Sequence, residues 1–292
     1  MLSKFLDPKN DYAFKRIFAS ARNKDILIHF LNDTILFKNH GRIVDVQILK
    51  TDLDPETASK KISIVDILCT DQNGNIYIVE MQVAKEKGFE KRAQYYASKA
   101  YVSQANAGGE YHDLKEVIFL AIVDFVMFPD KKAYKSDHVI LDRENYDHDL
   151  KDFSFTFLEL PKFNKDVDHL TTMLDKWAYF FKHADETKEE DLDKIIGDDQ
   201  IIGRAFKELN RFSWNDEELR TYDQEDKYER IHRAIMAQQF DEGHAKGKLE
   251  AMLAIAKTLR KQGIETSIIQ DATGLSKEKI ENLNFSDHGL NA

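Results

Sequence analysis

The stretch "ISIVDILCTDQNGNIYIVEMQV", residues 62–83, decides the fold. It reads as two strands, 62–69 and 75–83, rich in Ile and Val and separated by a turn cluster. Each strand carries residues that its apolar neighbours do not explain: Asp66 in the first, Glu80 and Gln82 in the second. Side chains alternate along a strand, so Ile76, Ile78, Glu80 and Gln82 share one face, and Tyr77, Val79, Met81 and Val83 the other. The turn sets what Asp66 meets. A two-residue Asn73-Gly74 hairpin would bring Asp66 opposite Met81, on the wrong side of the sheet. A three-residue loop of Gln72, Asn73 and Gly74, with Gly74 left-handed, brings Asp66 opposite Glu80. The second register is the expectation, because it accounts for both acids at once.

Working outward, "DYAFKRIFAS" puts Phe14, Ile17 and Phe18 on one helical face, and "DILIHFLNDTI" continues helical. A strand is expected at 42–49. After the quoted stretch, "GFEKRAQYYASKAYVSQANAGG" reads as a long helix stopped by Gly108 and Gly109. The run 116–128, bounded by Pro129, suits a central strand buried on both faces. "HVILD" and "FSFTFLEL" add two strands ending before Pro161. Helix, strands, helix and strands make a mixed α/β domain over residues 1–165.

Beyond Pro161 the pattern is helical: an extension at 166–220, with "DHLTTMLDKWAYFFKHA" first, then a region at 221–292. The latter opens on a charged helix from Tyr222 to about Gln262 that holds Gly243 and Gly247. Two glycines cost such a helix about 1 kcal/mol each and ask for a reason. A self-associating helix and an exposed, locally weak one are both open. Two short helices, 264–272 and 276–283, follow around Gly274 with Ser276 as N-cap. They outline a helix-turn-helix, or a helical hairpin capping the long helix; the tail lacks a basic recognition face.

The chain has 292 residues, a net charge of −10 and a single cysteine, Cys69, in an apolar run. No disulfide framework is possible, and a reducing, cytoplasmic setting is expected. The longest apolar run, "VIFLAIVDFVMF", is broken by Asp124 and is too short for a bilayer, so no membrane partner is expected. The charge is unevenly spread: residues 1–100 hold 16 Lys and Arg against 13 Asp and Glu, the remainder 26 against 39. A polyanion would meet the first third. The acidic remainder is expected to screen DNA from the site, so that a 1–165 fragment would cut faster. The ten histidines show no HExxH or His/Cys spacing and there is no GxxxxGK[ST] loop, which disfavours zinc hydrolysis and a nucleotide cofactor.

Two carboxylates held close repel unless one is protonated or a cation lies between them. Oxygen donors without thiolate or imidazole select a hard ion, Mg²⁺ or Mn²⁺, kept with several waters. Such a site activates water toward a phosphodiester. Gln82 can orient that water but cannot deprotonate it. The bland alternative is two acids pointing past the sheet edge into solvent.

The ordered set "Asp66 … Glu80-Met81-Gln82", with "KNDYAFKRIF" before and "EKRAQYYASKAY" after it, resembles the Rpn family of recombination-promoting nucleases and transposases, a branch of the PD-(D/E)XK nuclease superfamily. The resemblance covers about the first 165 residues, and the "EGHAKGK … IIQDATGLSKEKIENL" tail is similar to the family's C-terminus. It implies a restriction-endonuclease-like mixed sheet flanked by helices, followed by a helical C-terminal region. It further implies a metal-dependent DNA endonuclease linked to recombination, transposition or defence against foreign DNA. Asp66, Glu80 and the Met81 backbone carbonyl would hold the metal. The third motif position, commonly Lys, is Gln82 here, which leaves the general base unassigned. Asp11 matches an acidic position on the family's first helix and would complete the metal shell, or simply favour that helix's N-terminus. Arg92, Tyr96 and Lys99 fall on one face of the following helix and could meet a phosphate, or form its solvated edge. Tyr95 and Tyr101 read as core. Two rivals stand beside the enzyme: a catalytically inactive nuclease fold that binds DNA or a partner while its C-terminal helices form a homo-oligomer, and an assembly protein built on the long helix.

Overall fold

The computed structural model describes residues 3–37, 41–51, 64–105 and 109–283. The quoted stretch forms an antiparallel hairpin of β2 (Ile67–Asp71) and β3 (Ile76–Gln82), with Ile67 opposite Val79 and Thr70 opposite Ile76. Residues 62 and 63 of the expected first strand lie outside the described residues. Gly74 stands at φ 85°, and Asp71 N–H bonds the Asn75 carbonyl at 3.0 Å, so the loop is the three-residue one. Asp71 locks it. Its buried carboxylate accepts from the N–H groups of Asn73 (2.8 Å) and Asn75 (2.9 Å), the Asn75 amide (3.0 Å) and the Tyr77 hydroxyl (3.1 Å). Continued by one residue, this register sets Asp66 across from Glu80.

The hairpin sits inside a six-stranded sheet completed by β1 (Val46–Ile48), β4 (Val117–Val123), β5 (Lys135–Val139) and β6 (Phe153–Glu159), in the order β1-β2-β3-β4-β6-β5. The β3-β4 and β4-β6 pairs are parallel and the rest antiparallel. Helix α3 (Phe89–Val102) lays Phe89, Ala93, Ala97 and Ala100 on one face, against Ile78, Phe119 and Phe157. The small alanines let a parallel sheet and its crossover helix approach closely.

The other face is covered by α1 (Asp11–Phe18), α2 (Lys24–Thr34), α4 (Met173–His183), α5 (Leu192–Ile196) and α6 (Gln200–Glu208). Phe14, Phe18 and Phe30 interleave with Trp177, Phe180 and Phe181, all fully buried. Half of this aromatic layer comes from beyond residue 165. A 1–165 fragment would leave Phe14, Phe18 and Phe30 without these partners. Fully burying such side chains is worth about 1.5–3 kcal/mol each.

The long helix α7 (Asp216–Lys261) starts six residues before the expected Tyr222. Asn215 caps it, accepting from the N–H groups of Glu217 and Glu218 while Glu218 reaches back to the Asn215 N–H at 2.9 Å. Its first turns clamp α1. Tyr222 Oη accepts from Asp7 N–H at 3.0 Å, Asn10 donates to the Tyr222 carbonyl at 3.1 Å, and Arg16 pairs with Glu218 at 3.1 Å over the Trp214 ring.

The chain divides into two units, 1–226 and 227–292. In the second, α8 (Thr266–Thr273) and α9 (Lys277–Glu281) turn at Gly274 (φ 68°), and Ser276 caps α9. They bury Ile269, Leu275 and Ile280 against Ala256, a helical hairpin on the end of α7. Among the described residues nothing comes within 4 Å of where a Cβ at Gly243 or Gly247 would stand, so close approach within the chain does not explain these glycines.

Two further boundaries and one side chain differ from expectation. Helix α3 ends at Val102, because Gln104 turns aside to bond both the N–H and the carbonyl of Lys115. Strand β5 is 135–139 rather than 138–142: Glu159 N–H pairs with the Tyr134 carbonyl at 2.7 Å, and Asp142 bends the chain by accepting from Glu144 and Asn145. Tyr95, expected in the core, is 43% exposed, whereas Tyr101 packs on Phe153 with ring centroids 4.8 Å apart.

Replacing Asp71 by Ala removes four bonds to one buried carboxylate. The expected loss is about 2–3 kcal/mol in urea unfolding, with a smaller loss for Asp71→Asn; wild-type stability in Asp71→Ala would contradict the lock.

Candidate active site

The site lies at the carboxyl end of β3, where α1 and α3 approach from opposite layers. Asp66 directs Oδ2 to the Met81 N–H at 2.8 Å, and its own N–H donates to Glu80 Oε1 at 3.2 Å. The two acids thus hold each other's strand ends. In a strand the N–H and C=O of one residue point to the same edge. The Met81 carbonyl therefore faces the edge where Asp66 sits.

Glu80 is 5% exposed and Asp66 partly buried. Burial raises the proton affinity of both, and the Asp66 charge raises that of Glu80 further. Two cations oppose this. Lys15 of α1 stands 3.7 Å from Asp66 Oδ1, and Arg92 of α3 lowers both acids from the other side. Lys15 is shared: Asp11 holds its ammonium at 2.8 Å. Burial works against the Lys15 charge, but Asp11, Asp66 and Glu80 together keep its proton affinity above the usual value.

Asp11 is engaged by Lys15, and its charge still raises the proton affinity of Asp66. Among the described residues no three His, Cys, Asp or Glu side chains converge as a metal cage. Two carboxylates and a main-chain carbonyl still fit a hard cation that keeps several waters. The raised proton affinities mark a local deficit of positive charge that a divalent ion would relieve.

Gln82 does not point an idle amide at this pair. Its Oε1 accepts a short hydrogen bond from Arg92, and its Nε2 donates to the Ala84 carbonyl at 3.0 Å. Arg92 also pairs with Glu86 at 2.6 Å and lies over the Phe89 ring at 4.8 Å. Tyr96 is drawn in, its ring 5.9 Å from the guanidinium; burial and then the Glu80 charge, opposed by Arg92, raise its hydroxyl's proton affinity. Lys99, about two turns farther along α3, rests over the Tyr95 ring at 5.7 Å.

Sequence reasoning missed two residues. Lys15 carried a signal in its i,i+4 spacing from Asp11, but its meeting with Asp66 joins segments 51 positions apart. Asp71 stood in plain view before Asn73 and Asn75, an Asx-turn pattern. A separate cavity of about 250 Å³, lined by Ile35, Phe37, Ile118, His148 and Phe155 among others, lies at the amino ends of β4 and β6, away from the strand ends where α/β sheets usually act.

A mixed sheet between helical layers, with two buried acids on a central hairpin and cations from both layers, defines a nuclease-like α/β fold. The chain matches the family described as PD-(D/E)XK nuclease family transposase over residues 8–255, and it belongs to that family. Among curated proteins and solved structures nothing matches it significantly. Membership supports a nuclease-like function.

Acids whose folded proton affinity exceeds the unfolded value favour the fold only while protonated. Metal-free protein should therefore lose stability as pH rises out of the ordinary carboxylate range. Glu80→Gln should be more stable than wild type in EDTA at neutral pH, by about 1–2 kcal/mol; a lower melting temperature for Glu80→Gln would contradict the strain assigned to this pair.

Proposed function

We propose that the protein is a Mg²⁺- or Mn²⁺-dependent DNA endonuclease, acting in recombination, transposition or defence against foreign DNA. The observation that carries this reading is the pair of Asp66 and buried Glu80, facing each other across one hairpin, with Asp66 N–H donating to Glu80 Oε1 and the proton affinities of both raised by burial. Asp66, Glu80 and the Met81 carbonyl would hold the ion, which supplies Lewis acidity and an activated water when bound. The chain's own cations then divide the remaining work. Lys15 bridges Asp66 and Asp11, and Arg92, with Tyr96 and Lys99 along α3, faces the phosphate backbone. The choice of DNA rests on family membership. Exposed Lys85, Lys87 and Lys91 between β3 and the first turn of α3 add positive charge beside the site.

A second reading has its own support. Lys15 covers one oxygen of Asp66, and the Gln82 amide is spent at both ends. Such a site would suit an inactive nuclease fold that binds DNA without cutting it. In either reading the C-terminal helices form the homo-oligomer: Tyr228, Ile231 and Ile235 of α7 are 49–68% exposed at three- and four-residue spacings, an apolar stripe that a second copy would cover.

Nicking of supercoiled plasmid separates the readings. Clean wild type should cut with Mg²⁺ or Mn²⁺ and not in EDTA, and Asp66→Ala and Glu80→Ala, folded by circular dichroism, should lose activity about 100-fold or more. Absence of cutting by wild type with any divalent ion, alongside DNA binding, would favour the inactive module.

A further inference from the structure

Gln82 stands beside the acid pair with both ends of its amide engaged elsewhere. Its carbonyl oxygen is taken by Arg92 and its amide nitrogen by the Ala84 carbonyl. What it does visibly is fix the guanidinium. Arg92 is held at one nitrogen by Gln82, at the other by Glu86 (2.6 Å), and from below by the Phe89 ring (4.8 Å). A long, rotamer-rich side chain is thereby pinned before any substrate arrives.

The chemistry of the two clamps differs in a way that matters. Glu86 is exposed and charged, so its pairing with Arg92 is screened. Gln82 is neutral. An amide oxygen can accept from a guanidinium without cancelling its charge, whereas a carboxylate there would neutralise it and an ammonium would repel it. Arg92 Nε–H, moreover, is buried without a hydrogen-bond partner, a donor left unspent beside the acid pair. Of the five N–H donors of a guanidinium, two are committed to Gln82 and Glu86. Each terminal nitrogen keeps a second N–H, and these match a phosphate, which accepts planar, paired donors.

We propose that Gln82 is a positioning residue: it holds Arg92 as the cation that grips the substrate phosphate, and does not itself orient the attacking water. The inference deepens the nuclease reading and rests on its assignment of a phosphodiester substrate.

The test is a double-mutant cycle on the full chain, read by anisotropy of a short labelled DNA duplex in EDTA across a range of salt, with plasmid nicking in Mg²⁺ as a separate arm. Melting curves verify that each variant is folded. Arg92→Ala should weaken metal-free binding about 5- to 10-fold and flatten the slope of log affinity against log salt by about one, the signature of one lost phosphate contact. Gln82→Ala should produce a smaller loss of the same kind, about 3-fold. Added to Arg92→Ala it should change nothing further, and likewise in Arg92→Lys, which keeps a charge but has no fork to clamp. Gln82→Glu should bind DNA more weakly than Gln82→Ala. Multiplicative losses in the double variant, or an unchanged salt slope in Arg92→Ala, would overturn the inference even if wild type cuts DNA. Wild type that binds with this pattern but never cuts would sink the endonuclease reading and leave the Gln82–Arg92 assignment standing. Wild type that neither binds nor cuts would overturn both.

Discussion

The Asp71 carboxylate is the constraint on which the site depends. By taking four donors at the hairpin turn it fixes a three-residue loop, and the loop fixes the pairing of β2 with β3. A strand slipped by one residue turns every side chain to the opposite face. Asp66 would then meet Met81 instead of Glu80, and the acids would part. A few hydrogen bonds at one end of the hairpin therefore decide whether chemistry is possible at the other.

The pair so placed is a liability to the fold. Burial holds both acids reluctant to ionise, the Asp66 charge adds to this at Glu80 and the Asp11 charge at Asp66, and nearby Lys15 and Arg92 compensate only in part. Functional sites commonly carry such strain, offset by packing elsewhere. Here the offset is a dense aromatic layer drawn from both ends of the first unit, with Phe14, Phe18 and Phe30 against Trp177, Phe180 and Phe181. The same arrangement explains why α1 is held so firmly. Tyr222, Trp214 and Glu218 seat the helix that brings Asp11 and Lys15 to the site.

Much of this was legible in the sequence where the determinants are local. Gly74 required a left-handed turn, strand alternation put Glu80 and Gln82 on one face, and the Phe14, Ile17 and Phe18 spacing announced the buried side of α1. The rest depends on contacts distant along the chain. Nothing near Lys15 reveals that it will face Asp66, and nothing near Gln82 reveals that Arg92, ten positions later, will consume its amide oxygen. Likewise the helices after Pro161 read as an extension, because amphipathic periodicity shows that a face is buried but not against what. The shift of β5 came from a side chain, Asp142, whose turn-forming bonds outweighed the strand propensity of Ile140 and Leu141.

If two acids are kept together against their own repulsion, a small hard cation should find them. The most direct measurement is an anomalous difference map from crystals soaked in Mn²⁺. The account predicts a peak within bonding distance of both Asp66 and Glu80, with the Lys15 ammonium displaced toward Asp11. A map without density between the two strands, with Lys15 still seated on Asp66, would contradict it.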